Sequence, residues 1–148
     1  MKVFVSISQN VVLLLARLTL AVVAFVHGWV RLGGDGGIGV YADRLAAAGL
    51  PWPSVFAWGA AVLELGGAIF LAFGIGVRII AAAFAAEFIM TILWLHWPVG
   101  FSVAAGGYEY AAVMAVLALV FVAFGGGSLS VDRLLFGRKR DNRRAGAV

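Results

Sequence analysis

The chain contains no cysteine among its 148 residues. Disulfide bonds, thiolate metal ligands and thiol redox chemistry within the chain are therefore excluded. Charge is also scarce, because Asp, Glu, Lys and Arg make up only 12% of the residues, about half of the share that is typical of soluble domains. The three prolines, Pro51, Pro53 and Pro98, all fall between the long apolar runs. No apolar run is therefore broken in the way that an interior proline breaks a helix.

Hydrophobic residues make up 64% of the chain, and its mean hydropathy is +1.04. A soluble domain of this size cannot bury so much apolar surface, whereas a lipid bilayer can receive it. Four apolar runs each come close to the roughly 20 residues that cross a bilayer as a helix, and none alternates like a barrel strand. The sequence thus predicts an all-α integral membrane protein, a four-helix antiparallel bundle forming a single domain over residues 1–136, with a basic tail over 137–148. The predicted helices are Val11–Val30, Val55–Phe73, Val77–Leu95 and Tyr108–Phe124.

The net charge of +4 is unevenly distributed. Six of the eleven basic residues follow Val131, and a short basic run beside a span is typical of a segment that faces lipid headgroups rather than nucleic acid. Lys2, Arg78 and this tail are predicted on one side of the membrane, and Arg31 and Arg44 on the other. The positive-inside rule then places both termini in the cytoplasm. Tryptophan and tyrosine cluster near the outer ends of the predicted spans, which indicates an outer surface that meets a partner.

Two connections carry structural predictions. The segment from Gly74 to Val77 is short enough to force the second and third helices into an antiparallel hairpin. Between the first two spans, Val40 to Ala48 is predicted to form a short helix at the membrane surface, ended by Gly49.

Arg17, Glu64 and Glu87 are predicted to lie at similar depth, near the middle of the bilayer. A charge at that depth costs at least ~2.5–3.5 kcal/mol, so such residues usually face the bundle interior and a partner of opposite charge. One carboxylate would pair with Arg17, and the other would carry a proton. Two interpretations stay open: a polar clasp that fixes the helix register, or a proton-handling or quinone-headgroup site.

A second polar set is predicted at the outer ends of the first, third and fourth helices. It consists of His27, His96, Tyr108 and Glu109. Two histidines on different helices are the ligands of many b-type haem and copper sites, but no cysteine or well-placed methionine completes a metal set here. We therefore predict no metal site. Instead, we expect the four residues to line an outward-facing cavity, with Glu109 as its acid or base.

Several short motifs occur in a fixed order along the chain. They are Arg17 followed by His27-Gly28-Trp29 and Arg31, then Gly49 to Pro53, Leu63 to Gly67, His96 to Phe101, Gly106 to Tyr110, and Gly125 to Asp132. Together they resemble the DoxX family of small bacterial and archaeal membrane proteins, over about residues 11 to 136. Each motif alone is weak, but their order and spacing agree. Arg31 stands where lysine is common in the family, which preserves the charge.

The resemblance implies a four-helix bundle in the cell (inner) membrane of a bacterium or archaeon. Some relatives look like subunits of sulfur-oxidising, quinone-reducing complexes, and others resemble membrane members of oxidative-stress assemblies. Two functions therefore compete. The chain is either a subunit or anchor of a membrane redox complex without complete catalytic machinery of its own, or a quinone-linked oxidoreductase component using Arg17, Glu64 and Glu87. A small transporter has less support, because neither an inverted repeat nor a broken helix is evident.

Overall fold

The structure contains helices and turns but no strand in the residues that it describes. It is a computed structural model that describes residues 2–34 and 36–135, with side chains from residue 7 onward. Helices satisfy their own backbone hydrogen bonds, which a chain surrounded by lipid requires. The long helices are α1 (Lys2–Gly33), α2 (Gly37–Ala47), α3 (Pro53–Phe73), α4 (Val77–Val99) and α5 (Glu109–Phe124).

Three of these helices are long and apolar enough to cross a membrane. They are Ile7–Gly33 within α1, the whole of α3 and the whole of α4. Helix α5 is apolar but has only 16 residues, a length of ~24 Å at 1.5 Å per residue. The predicted helical membrane protein is therefore confirmed. The first helix begins well before the predicted Val11, and α4 continues beyond the predicted Leu95.

A tight turn connects α3 to α4, as predicted. Gly74 and Gly76 adopt positive φ angles of 76° and 59°, a conformation that glycine adopts without steric cost. Asp132, far along the chain, accepts hydrogen bonds from the backbone N–H groups of Gly76 at 2.8 Å and Val77 at 3.0 Å. This carboxylate therefore caps the start of α4. We call this end of the molecule, formed by the Gly74–Val77 turn and residues 125–132, the base.

The helices are offset along their axes, and the offset decides which polar residues meet. A Cβ atom at Gly28 would lie 2.9 Å from Glu64 Cβ, so this part of α1 is level with the middle of α3. Arg17, eleven residues earlier in α1, lies beside Gly74, at the end of α3 that adjoins the base. Helix α1 is therefore displaced along its axis, relative to α3, toward the base. Its last residue, Gly33, reaches only about 8 Å beyond the level of Glu64.

Apolar side chains from α1, α3, α4 and α5 form one continuous core between the level of Glu64 and the base. Alanine at many contact positions lets the helix backbones approach closely, as is common in membrane bundles. Phe84 and Phe121 fill the space between the backbones and are fully buried. The core consists of Leu20, Ala21, Ala24, Ala68, Leu71, Val77, Ala81, Phe84, Ala85, Met114, Ala118 and Phe121.

Helix α2 packs beside the ends of α3 and α4 that lie away from the base. Leu45 is 1% exposed and shares a second apolar cluster with Ala57 of α3 and Leu95 of α4. Gly36 has a φ angle of 84°, which lets the chain reverse directly from α1 into α2. The short helix predicted at Val40 to Ala48 is thus present. Because α1 ends early, α2 occupies the space that a longer α1 would fill.

Candidate functional site

Glu64 and Glu87 meet Arg31 in the interior of the protein. Arg31 Nη1 lies 2.8 Å from Glu64 Oε2 and 3.2 Å from Glu87 Oε1. The side chains of the two acids are 3% and 6% exposed, and that of Arg31 is 13% exposed. We call these three residues the Arg–Glu cluster.

Chain geometry explains why the two acids are neighbours. Glu64 precedes Gly74 by ten residues, and Glu87 follows Val77 by ten residues. A tight antiparallel hairpin brings positions at equal distance from its turn to the same level. Arg31 reaches that level only because α1 is shifted toward the base.

Helix α2 covers the cluster on one side. The guanidinium carbon of Arg31 lies 3.9 Å from the centre of the Tyr41 ring, close enough for a cation–π interaction. Burial raises the pKa of the Tyr41 phenol, although the nearby Arg31 acts in the opposite direction. Tyr41 therefore stays neutral at physiological pH and can donate a hydrogen bond.

His27 and Tyr110 form a second polar pair beside the cluster. Their rings stack with centroids 5.6 Å apart and an interplanar angle of 11°. Tyr110 Oη lies 3.5 Å from His27 Nε2, a long hydrogen bond. His27 precedes Arg31 by one helical turn, so both project from the same face of α1.

His96 lies farther from the base, at the end of a helical turn of α4. Its Nδ1 atom is 2.6 Å from the carbonyl oxygen of Gly106. Because a carbonyl oxygen can only accept, Nδ1 must carry the hydrogen atom of this bond. When the imidazole is neutral, Nε2 is therefore a hydrogen-bond acceptor.

These polar residues line one cavity of about 450 Å³. Its volume falls within the range of about 300–1,000 Å³ that is usual for small-molecule sites. Thr91 lies on its wall between Glu87 and His96. Within the described part of the chain, no three His, Cys, Asp or Glu side chains form a group that could hold a metal ion. The apolar wall includes Val26, Val30, Val40, Phe88 and Leu95.

Two π-helical turns present residues to this cavity. The turn at Leu63–Gly67 carries Glu64, and the turn at Ile92–His96 ends in His96. A π turn widens the helix by one residue and is frequent at functional sites. Both π-helical turns in the described spans therefore coincide with the polar cavity.

The predicted pairing of Arg17 with Glu64 and Glu87 is wrong. Arg17 is 1% exposed at the base. There its guanidinium group donates hydrogen bonds to the carbonyl oxygens of Gly126 at 3.0 Å and Leu129 at 2.8 Å. The prediction centred the first helix in the bilayer, whereas packing shifts α1 toward the base. Arg17 thus holds the end of the bundle together, and Arg31 is the cation of the cluster.

The predicted outer polar set divides into two parts. Its two histidines line the cavity, whereas Tyr108 and Glu109 do not. Tyr108 stacks on Trp97 with ring centroids 5.3 Å apart, and Glu109 accepts a hydrogen bond from the backbone N–H of Val103 at 3.2 Å. Tyr108 thus contacts the end of α4, Glu109 contacts the loop that precedes α5, and neither residue lines the cavity.

Arg31, Tyr41 and Tyr110 complete the site but are absent from the sequence-based set of site residues. Arg31 has a detectable signal, because its spacing of four from His27 puts both on one helix face. Tyr41 and Tyr110 have no comparable signal. Their places depend on how α2 and α5 pack against the other helices.

The fold and the site define a class, a small helical membrane protein with a polar cavity among its spans. The sequence profile of the DoxX family matches residues 12–97, which is more than half of the chain. The chain belongs to the DoxX family. The matched region contains the whole Arg–Glu cluster and excludes α5 and residues 125–132. No curated protein and no solved structure matches the chain.

Proposed function

We propose that this DoxX protein is the quinone-binding membrane component of a redox complex. The proposal is carried by one observation, a cavity in which the buried Arg–Glu cluster adjoins aliphatic and aromatic walls. A quinone headgroup is a flat ring with carbonyl oxygens, so a site for it needs apolar contact and hydrogen-bond donors. Arg31, Tyr41 and Tyr110 provide such donors.

The same cluster is suited to handling protons. Reduction of a bound quinone consumes protons, and oxidation of the quinol releases them. Glu64 and Glu87 share a single cation, so the cluster is neutral when one carboxyl group is protonated and has a net charge of −1 when both are ionised. Intramembrane carboxyl groups commonly act in proton relays. Because the chain has no cysteine, any thiol-based electron donor must belong to a partner.

The proposal includes four membrane crossings with both termini in the cytoplasm. Because α5 is short for a membrane span, residues of the loop before it would also lie within the bilayer. Arg78 and Arg133 are exposed at the base. Arg31 is buried in the cluster, which leaves Arg44 as the arginine exposed on α2. This asymmetry supports a cytoplasmic base and a cavity that opens on the outer side.

A second candidate function is that of a structural anchor. Trp52 and Trp97 are 75% and 61% exposed at the end of the molecule where α2 packs. Exposed aromatic residues of this kind are enriched at contact surfaces between proteins. In an anchor these residues would contact another subunit, and the cavity would contain only water.

Binding of ubiquinone-1, a short-chain quinone, distinguishes these functions. The protein would be purified into lipid nanodiscs and titrated by calorimetry. Tyr110→Phe removes one hydroxyl group from the cavity and should weaken binding about 2- to 10-fold, the net value of one hydrogen bond. Tyr108→Phe makes the same change outside the cavity and should bind like the wild type. Absence of saturable binding by the wild type, or an equal loss in both variants, would contradict the quinone site and leave the anchor function.

A further inference from the structure

We infer that the cavity is a one-sided proton path. The Arg–Glu cluster exchanges protons with water at the end of the molecule opposite the base, where α2 packs; we call this end the α2 side. The cluster is sealed from the base. The inference rests on the proposed function only in treating Glu64 and Glu87 as proton-carrying groups.

A continuous wall leads from the cluster to the α2 side. Glu87, Thr91 and Leu95 follow one another at successive turns of α4 and line the same cavity, which continues to His96. At 1.5 Å per residue, Glu87 and His96 are separated by ~14 Å along the helix. Because α1 ends shortly beyond Arg31, this length of the cavity is lined by α2, α4 and the start of α5. The polar groups on its wall can hold ordered water.

Apolar packing blocks the opposite direction. Leu20, Leu71, Phe84 and Phe121 come from α1, α3, α4 and α5, and each is 0% exposed. The ten residues from Glu64 to the base correspond to ~15 Å of helix. A core of fully buried, close-packed apolar side chains leaves no file of water, and isolated water among apolar side chains lacks hydrogen-bond partners. A proton therefore has no polar route from the cluster to the base through the described core.

The polar groups around the carboxyl pair support the same direction. Besides the pair, the ionisable side chains on the cavity wall are His27, Arg31, Tyr41, Arg44, His96 and Tyr110. The buried Arg17 at the base instead donates to backbone carbonyl groups. When the protonated carboxyl group loses its proton, the O–H bond breaks, the proton passes to cavity water, and the carboxylate remains paired with Arg31. Uptake reverses these steps from the same side.

The absence of native cysteine allows a direct test without quinone turnover. Thr91→Cys and Leu95→Cys each place one thiol on the cavity wall. Ala81→Cys and Ala118→Cys place a thiol in the packed core between the cluster and the base. Each variant would be reconstituted in vesicles and treated on one side with MTSET, a membrane-impermeant thiol reagent. Loss of free thiol is the readout.

Two exposed positions serve as markers of sidedness. Asp43→Cys on α2 and Arg133→Cys at the base identify which face of the vesicle carries each end of the molecule. We expect the Thr91→Cys and Leu95→Cys variants to lose their thiols only when reagent is on the Asp43 side, and both core variants to keep theirs. Labelling of a core variant from the Arg133 side, or inertness of both cavity variants, would overturn the inference. If the cavity variants react as expected but ubiquinone-1 does not bind, the quinone function fails and the one-sided path stands.

Discussion

Replacing Arg31 with methionine removes the cation from two buried acids while preserving most of the side-chain length. Arg31 contacts Glu64 at 2.8 Å and Glu87 at 3.2 Å, and all three side chains are at most 13% exposed. Removing one partner of a buried ion pair costs ~3–5 kcal/mol, because the remaining charge is uncompensated. We expect Arg31→Met to lose stability in this range. Combining it with Glu64→Gln and Glu87→Gln removes that charge and should recover most of the loss.

Unfolding by SDS in mixed micelles, followed by circular dichroism, measures these free energies. Arg78→Met is a matched control, because Arg78 is exposed and donates a hydrogen bond to the Ala123 carbonyl oxygen at 3.1 Å. The control should lose no more than about 1 kcal/mol. The reasoning is refuted if Arg31→Met loses no more than Arg78→Met, or if the triple variant is less stable than Arg31→Met alone.

Two further predictions concern contacts outside the cavity, namely the hydrogen bonds of Arg17 at the base and the close approach of Gly28 to Glu64. Arg17→Lys cannot reproduce the fork geometry with which the guanidinium group reaches two carbonyl oxygens; it should lower the free energy of unfolding by ~1–3 kcal/mol and leave ubiquinone-1 binding unchanged. A shift in affinity would show that Arg17 acts on the cavity. Gly28→Ala adds a Cβ atom 2.9 Å from Glu64 Cβ and should cost ~1–3 kcal/mol by overpacking. Gly59→Ala, where nothing lies within 4 Å, should be neutral or stabilising, and equal effects of the two changes would contradict the close contact.

The membrane class and the carboxyl pair follow from the sequence itself. High mean hydropathy, a low share of charged residues and four apolar runs indicate that these helices are surrounded by lipid. The tight turn at Gly74 to Val77 is local, and the equal spacing of Glu64 and Glu87 from that turn places them at one level. Helical rise and chain connectivity are sufficient for this result.

Only the tertiary structure determines which arginine is the cation of the Arg–Glu cluster. Hydropathy does not fix the axial position of α1, because its apolar stretch of 27 residues exceeds the roughly 20 that a bilayer requires. Apolar side chains gain little in lipid from one helix position over another, so the position is set by packing and by polar contacts. Gly28 allows close contact beside Glu64, while Arg17 bonds to the base. Together these contacts bring Arg31 to the two acids and hold Arg17 away from them.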